Sequence, residues 1–539
     1  MPVVGVRHEA SFRGSAARGV PWLPAATVCG MAASLDPAWV GSTNPVIPGF
    51  YPDPSVCRVD GEDGTWFYLA SSTFEYLPGI PVHRSRDLVS WELVGHAVER
   101  PGQVDLGTVG DSGGMFAPTI RHDGARFLVV CTLVGGVEGA SGNFVVTATD
   151  AAGPWSDPVW WHDDGIDPSL LVDDDGRLWG HGTRLAREPE WDQQTEVWVR
   201  EVDPVTLTLQ GPEHVVWTGA VRGAVWAEGP HLYRRGDTCY LLAAEGGTGA
   251  HHAISVARGA GPAGPFTGNP CNPVLTHRHL GGRYPVTNVG HADLVDAPDG
   301  STWALCLATR PVDGFDPLGR ETFLVPVEWE QGWPVFAPGV GTLVPEPPRP
   351  APAPVAGARE EELISPRRFP GEVADVTPDG GLEVRPGAGL GSPAPAFVGR
   401  RLTAHRATAS VEVLDVPDGA EAGVALRYRA SAWVSLTVTP HAGGALLRAV
   451  RRAGDAEEVV AELTVAGPAA GTAVIEVDGA RGHARWLAAD GTVVDVADLD
   501  LSHLGAAASG GFVGVVVGVV AVGTGADRVR ARALAATPA

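Results

Sequence analysis

From Asn44 to about Val344 the apolar positions come in short β-rich runs separated by Gly/Asp/Pro turns, and almost no stretch repeats at helical spacing. That pattern predicts an all-β architecture. It also repeats. A two-residue turn recurs at Asp63-Gly64, Asp123-Gly124, Asp175-Gly176, Gly236-Asp237 and Asp299-Gly300, and each is followed by an apolar strand: TWFYLAS, ARFLVVC, RLWGHG, TCYLLAAE and STWALCLA. The segments before the turns are alike as well: DPSVCRV, APTIRH, DPSLLV, EGPHLY and GHADLV. A spacing of roughly 50 to 60 residues suits a four-stranded blade with decorated loops. Five such blades closed into a ring leave no open sheet edge, so a five-bladed β-propeller is expected. In that fold the innermost strands line a central channel. The equivalent positions read from the repeat are Asp53, Ala117, Asp167, Glu228 and His291.

The run PEPPRPAPAP, Pro345 to Pro354, is a semi-rigid spacer and marks a boundary. Beyond it the chain turns to alternating strands such as ATASVEVLDV, AWVSLTVTP and GTAVIEVDG, which predict a second, β-sandwich domain. The expected organisation is a leader over 1–42, a propeller over 43–344, a linker over 345–358 and a sandwich over 359–539. The leader carries Arg7, Arg13 and Arg18 ahead of an apolar patch, which imitates a secretory signal. Pro21 and Pro24 break that patch, and Met31 offers a later start, so a disordered or spurious leader on a cytoplasmic protein is expected. The apolar run Gly511 to Val522 is too short to span a bilayer, so no membrane partner is expected.

Composition narrows the chemistry. Lysine is absent, and 39 arginines face 63 acidic residues for a net charge of −24. Schiff-base and PLP lysines and the Walker A loop are thereby excluded. The acidic balance also argues against a nucleic-acid partner, because that affinity comes from cations laid on phosphates. The six cysteines form no CxxC motif and most sit in apolar runs, where they read as small buried hydrophobes.

Carboxylates remain. Asp-Pro is a common turn starter, but two Asp-Pro-Ser copies in register, plus a glutamate on a third blade, bring three carboxylates to one channel mouth. Crowded, half-buried carboxylates repel, so their proton affinities split into an ionised base and a protonated acid. That is the equipment for glycoside hydrolysis. In the inverting form the acid protonates the leaving oxygen while the base activates water on the opposite face of the sugar.

The runs NPVIPGFYPDPSV, STFEYLPGIPVHRSRDLVSWELVGHA, GIDPSL, EGPHLY, AEGGT, GHADLV, ATRP and LGRETFLVPVEWEQGWPVF occur in this order over about 290 residues. Together they resemble glycoside hydrolase family 43, in its β-xylosidase and α-L-arabinofuranosidase branch. PAFVGRR and GGFVGVVVGVVAVG are similar to that family's C-terminal sandwich. The resemblance implies that Asp53 is the general base, Glu228 the general acid, and Asp167 the neighbour that orients Glu228 and raises its pKa. It further implies that Arg310, in ATRP, bonds sugar hydroxyls, and that His291 contacts a hydrated calcium ion in the channel. No cofactor is required by the chemistry. Apolar sugar faces stack on rings, and Phe74, Phe116 and Trp226 are the candidate platforms. Phe116 stands where relatives of this kind carry tryptophan. The segment Arg184 to Thr195 fits the pattern poorly, where the family shapes its leaving-group side.

The resulting expectation is an exo-acting, inverting glycosidase that releases xylose, and arabinofuranose too, from xylo- or arabino-oligosaccharides. The alternatives are an α-L-arabinofuranosidase only, and a carbohydrate-binding propeller without turnover. Fructosidases of the same fold would need an Asn-Asp-Pro-Asn signature, where this chain reads Tyr-Pro-Asp-Pro-Ser. Homo-oligomerisation is not decided by the sequence.

Overall fold

The computed structural model describes residues 44–161, 165–343, 362–525 and 527–538. The leader, Cys29 and the proline-rich linker lie outside the described residues. Helix is confined, among the described residues, to two four-residue turns, Pro370–Val373 and Ala506–Ser509.

Five antiparallel sheets follow one another along the chain. Each has an innermost strand: Ser55–Gly61, Gly114–His122, Ile166–Val172, Glu228–Arg235 and Thr287–Asp296. Three further strands meander outward from each, with a short extra strand in the fourth sheet. The innermost strands touch in a closed cycle, first to second and so on to the fifth, which returns to the first. This is a propeller with five blades. The ring is locked where Asn44, just before the first blade, exchanges two hydrogen bonds with the backbone of Leu324 in the fifth (2.8 and 2.7 Å). The turn glycines Gly64, Gly124, Gly176, Gly236 and Gly300 all have positive φ, which explains why glycine recurs at the repeat's turns.

One irregularity repeats and builds the site. Asp53, Ala117, Asp167, Gly229 and His291 all have positive φ, between 38° and 55°. In blades two to five the strand register shifts at this point. The bulge presents two successive residues to the channel mouth instead of one. This corrects the equivalence read from sequence. The fourth-blade counterpart of Asp53 and Asp167 is Gly229, and Glu228 stands one position earlier, level with Phe116 and Ile166. Clearance requires glycine at 229, because a Cβ there would sit 2.7 Å from the His291 ring, whereas aspartates hold the same φ at 53 and 167.

Two residues further along the innermost strands, Ser55, Thr119, Ser169, His231 and Asp293 fill the channel. Asp293 is fully buried and accepts from Ser55 Oγ (2.7 Å), Tyr233 Oη (2.5 Å) and both Nη atoms of Arg121 (2.7 and 3.1 Å). The channel is thereby plugged beneath its mouth. Four of the five described cysteines are buried in blade strands, as their apolar surroundings predict.

The second half is a sandwich of a seven-stranded and a six-stranded sheet. Arg406–Asp415 alternates buried and half-exposed residues along its length, the mark of a strand with one face in a core. The core between the sheets is continuous with propeller residues: Phe50, Phe74, Tyr76, Phe315 and Leu318 pack into the same cluster as Phe397, Leu426 and Val517. Each large apolar side chain so buried contributes about 1.5–3 kcal/mol. Backbone pairing of Ser365–Pro366 with Tyr76–Leu77 and an ion pair between Arg367 and Asp111 (2.9 Å) add to the joint. Sandwich and propeller are therefore one packed body.

Candidate active site

Above the plug, the bulged ends of the innermost strands open into a cavity of about 380 Å³. Asp53, Asp167 and Glu228 all line it, as do Phe74, Phe116, Trp226 and His291. Every sequence candidate except Arg310 is therefore gathered at one place.

Arg310 is elsewhere. Its guanidinium is bidentate on the buried carboxylate of Glu321 (2.7 and 2.8 Å), whose Oε1 also accepts the Gly49 N–H at 3.0 Å. It ties the fifth blade to the segment before the first. The arginine in the cavity is Arg320, which donates to Asp53 Oδ1 (3.1 Å) and Thr248 Oγ1 (2.9 Å). Arg310 ends one strand of the fifth-blade hairpin and Arg320 precedes the next. Arg320 stands in the run LGRETF, just before the strand that Glu321 opens, and nothing local to that run says which of the two arginines turns to the channel.

Three carboxylates and one guanidinium crowd into one largely buried pocket, so the carboxylates cannot all ionise with equal ease. Burial alone would raise Asp53. It is outweighed by Arg320, by His291 at 3.8 Å and by the Ser72 hydroxyl donating at 2.5 Å, which together hold Asp53 below the usual carboxylate range. Glu228 is pushed the other way: burial, then the charges of Asp167 and Asp53, raise it well above its ordinary value, and Arg320 only partly offsets them. Asp167 is raised too, by burial first and then by Asp53, while His291 and the Gly229 N–H donating at 3.0 Å restrain it. The stable arrangement near neutral pH is an ionised Asp53, an ionised Asp167 and a protonated Glu228.

His252, which the sequence reading missed, also lines the cavity. Its Nδ1 lies 3.0 Å from the Asn288 carbonyl oxygen, which can only accept, so Nδ1 carries the proton. Burial lowers its pKa to about 3 and keeps the ring neutral.

The sandwich reaches the cavity through Phe512. Its ring stacks on Phe74 at 5.9 Å and meets Phe116 edge-on at 5.7 Å, while Phe74 and Phe116 lie 5.1 Å apart. The Phe512 N–H donates to Ser112 Oγ at 3.0 Å. Gly511 before it has φ +93°, and a Cβ there would approach the same oxygen to 2.5 Å. Three phenylalanines thus form one wall, with Trp226 as a separate aromatic face.

The donor set does not fit a directly ligated calcium. Among the described residues no group of three His, Cys, Asp or Glu side chains is arranged to hold a metal ion. The carboxylate nearest His291 is Asp53, already engaged by Arg320 and Ser72, and an imidazole is a poor ligand for a hard cation.

Paired carboxylates of opposed proton affinity, at the mouth of a propeller channel walled by aromatic rings, are the equipment of glycoside hydrolases, and fold and site together place the protein in that class. Comparison narrows it. The model for glycosyl hydrolases family 43 matches residues 42–334, and the chain belongs to that family. Residues 370–532 match the beta xylosidase C-terminal concanavalin A-like domain. The chain is 48% identical over 310 residues to a xylosidase/arabinosidase of Butyrivibrio fibrisolvens, covering 57% of this chain and 58% of that protein. It is 46% identical over 294 residues to a non-reducing end alpha-L-arabinofuranosidase of Bacteroides ovatus, covering 54% of this chain and 52% of that one. These matches span somewhat over half the length of the curated relatives. The solved xylan beta-1,4-xylosidase of Bacillus halodurans superposes with a TM-score of 0.81 at 27% identity, over 91% of this chain and 98% of that structure.

Proposed function

We propose that the protein is an exo-acting, inverting glycosidase that removes xylose, and also arabinofuranose, from the non-reducing ends of short oligosaccharides. The observation that carries this reading is the opposed tuning of two carboxylates in one cavity: Asp53 held ionised by Arg320 and Ser72, Glu228 held protonated by burial and by Asp167. Protonated Glu228 donates to the glycosidic oxygen as that bond breaks. Ionised Asp53 takes a proton from a water that attacks the anomeric carbon from the opposite face. Asp167 stays charged and keeps the proton on Glu228 until substrate takes it. Arg320 and Thr248 offer donors to sugar hydroxyls, and the phenylalanine wall takes an apolar sugar face.

Exo action is supported by the plugged channel floor and by Phe512, which closes one side. Xylose and arabinofuranose are both supported by the relatives, one described as a xylosidase/arabinosidase and another as an arabinofuranosidase. Release of p-nitrophenol from the β-xyloside and the α-arabinofuranoside tests the reading, with Asp53→Ala and Glu228→Ala as controls. Release by the wild type and its loss in Asp53→Ala are expected, while Glu228→Ala keeps much of its release from the aryl glycosides, whose phenolate departs with little help from an acid. No release from either glycoside, with sugar binding intact, would favour a non-catalytic binding propeller.

A further inference from the structure

A glycoside whose scissile oxygen meets Glu228 must extend its leaving group along the Glu228 side of the cavity. Trp226, two residues upstream, lines the cavity there. Its backbone is left-handed, φ 50°, an outlying conformation for a bulky residue that persists only where neighbours enforce it.

Gln193 does the enforcing. It lies in the hairpin that joins the third-blade strands Leu178–Leu185 and Thr195–Val202, and it is itself left-handed at φ 57°. Its carbonyl oxygen accepts the Trp226 backbone N–H at 3.2 Å, and its Oε1 accepts the indole Nε1–H at 3.0 Å. The two bonds fix the main chain and the ring at once. The hairpin has other ties to the same segment: Trp191 Nε1 donates to the Ala224 carbonyl at 2.9 Å, and Arg222 pairs with Glu190 at 2.7 Å. Glu228 is positioned independently, because the Ala227 carbonyl accepts from Thr183 and Thr195, each at 3.0 Å. The Gln193 side chain is exposed, so its amide is not needed to fill a core. Beyond a contact with the neighbouring Asp192, what it fixes is where the half-exposed indole points.

We infer that Gln193 is a positioning residue for leaving-group recognition: it holds the Trp226 indole as the platform on which the second sugar of an oligosaccharide stacks. The inference rests on the glycosidase reading above. An indole freed of its Nε1 partner keeps its area but loses its preset orientation, and ordering it must then be drawn from substrate binding.

The test compares xylobiose with methyl β-xyloside. Both have poor leaving groups that need Glu228, and only xylobiose carries a second sugar. In Gln193→Ala, kcat/KM for xylobiose falls about 3- to 10-fold through KM, the range of one aromatic contact, while methyl β-xyloside is unaffected. Gln193→Glu, which retains an acceptor for the indole, restores xylobiose. Trp226→Phe lowers xylobiose turnover by a similar factor, and adding Gln193→Ala to it brings no further loss. Equal loss on both substrates in Gln193→Ala, or failure of the glutamate variant to restore xylobiose, overturns the assignment. Turnover of neither xyloside by the wild type overturns the β-xylosidase reading on which the inference rests.

Discussion

Replacing Arg320 and Arg310 separately by methionine distinguishes a guanidinium that tunes the base from one that holds the fold. Arg320 Nη1 lies 3.1 Å from Asp53 Oδ1, and both side chains are about nine-tenths buried or more. At an effective dielectric constant of about 20, unit charges about 4 Å apart interact by about 4 kcal/mol. That bounds the effect near 3 pH units, in line with the drop of about 1–3 units seen for an aspartate beside an arginine. Ser72 and His291 remain in the variant, so part of the downward pull on Asp53 survives. The sign follows: without the guanidinium the Asp53 pKa rises, the base is protonated earlier as pH falls, and the acid limb of the kcat/KM profile moves to higher pH. At the optimum, losing a charged donor to sugar hydroxyls, about 1.5–3 kcal/mol, lowers kcat/KM about 10- to 150-fold.

Arg310→Met should act differently. It strands the buried Glu321 carboxylate, costing about 3–5 kcal/mol of stability, and lowers Tm without moving the acid limb. Profiles of kcat/KM against pH, with thermal unfolding of the same samples, read both effects. An acid limb that stays put in Arg320→Met, or moves in Arg310→Met, would refute the reasoning.

Asp167→Asn should lower the pKa of Glu228, since one of the two charges that raise it is gone, and move the basic limb to lower pH while burial keeps most of the upward shift; a basic limb that stays put or moves up would contradict it. Phe512→Ala should raise KM about 2- to 13-fold by removing one ring from the wall, and an unchanged KM would mean that the sandwich does not contribute to substrate binding. Asp293→Asn leaves Arg121 buried without its counter-charge and should cost about 3–5 kcal/mol in denaturant unfolding at neutral pH. The Asp293 pKa is depressed in the folded state, so its contribution is present above the unfolded value of about 3.9 and lost as pH falls below it. The gap between wild type and variant should therefore narrow on acidification.

The blades and the first two aspartates are legible in the sequence because a repeat writes them several times: the turn glycines, the Asp-Pro-Ser copies and the apolar strands all recur in register. Glu228 was found by its place in the repeat but was set one position out. A bulge is a local change of backbone geometry, and the glycine-proline pair that marks it follows Glu228 instead of containing it. Arg310 and Arg320 flank the same hairpin, and periodicity does not tell which guanidinium turns to the channel and which to Glu321. Phe512 was hidden for another reason. It arrives from the second domain, and nothing local in Gly510–Gly511 says that the turn ends beside Ser112, 400 residues earlier in the chain. Gln193 was obscured in the same way, since its partner Trp226 belongs to the next blade.

The central claim is the division of labour between Asp53 and Glu228, and it is tested most directly by how their loss depends on the leaving group. Measured on xylobiose and on p-nitrophenyl β-xyloside, Glu228→Ala should lose about 10²- to 10⁴-fold in kcat/KM on xylobiose and much less on the aryl glycoside, whose phenolate departs with little help from an acid. Asp53→Ala should lose heavily on both, because each needs an activated water. Equal losses on the two substrates in Glu228→Ala, or activity spared on either in Asp53→Ala, would contradict the account.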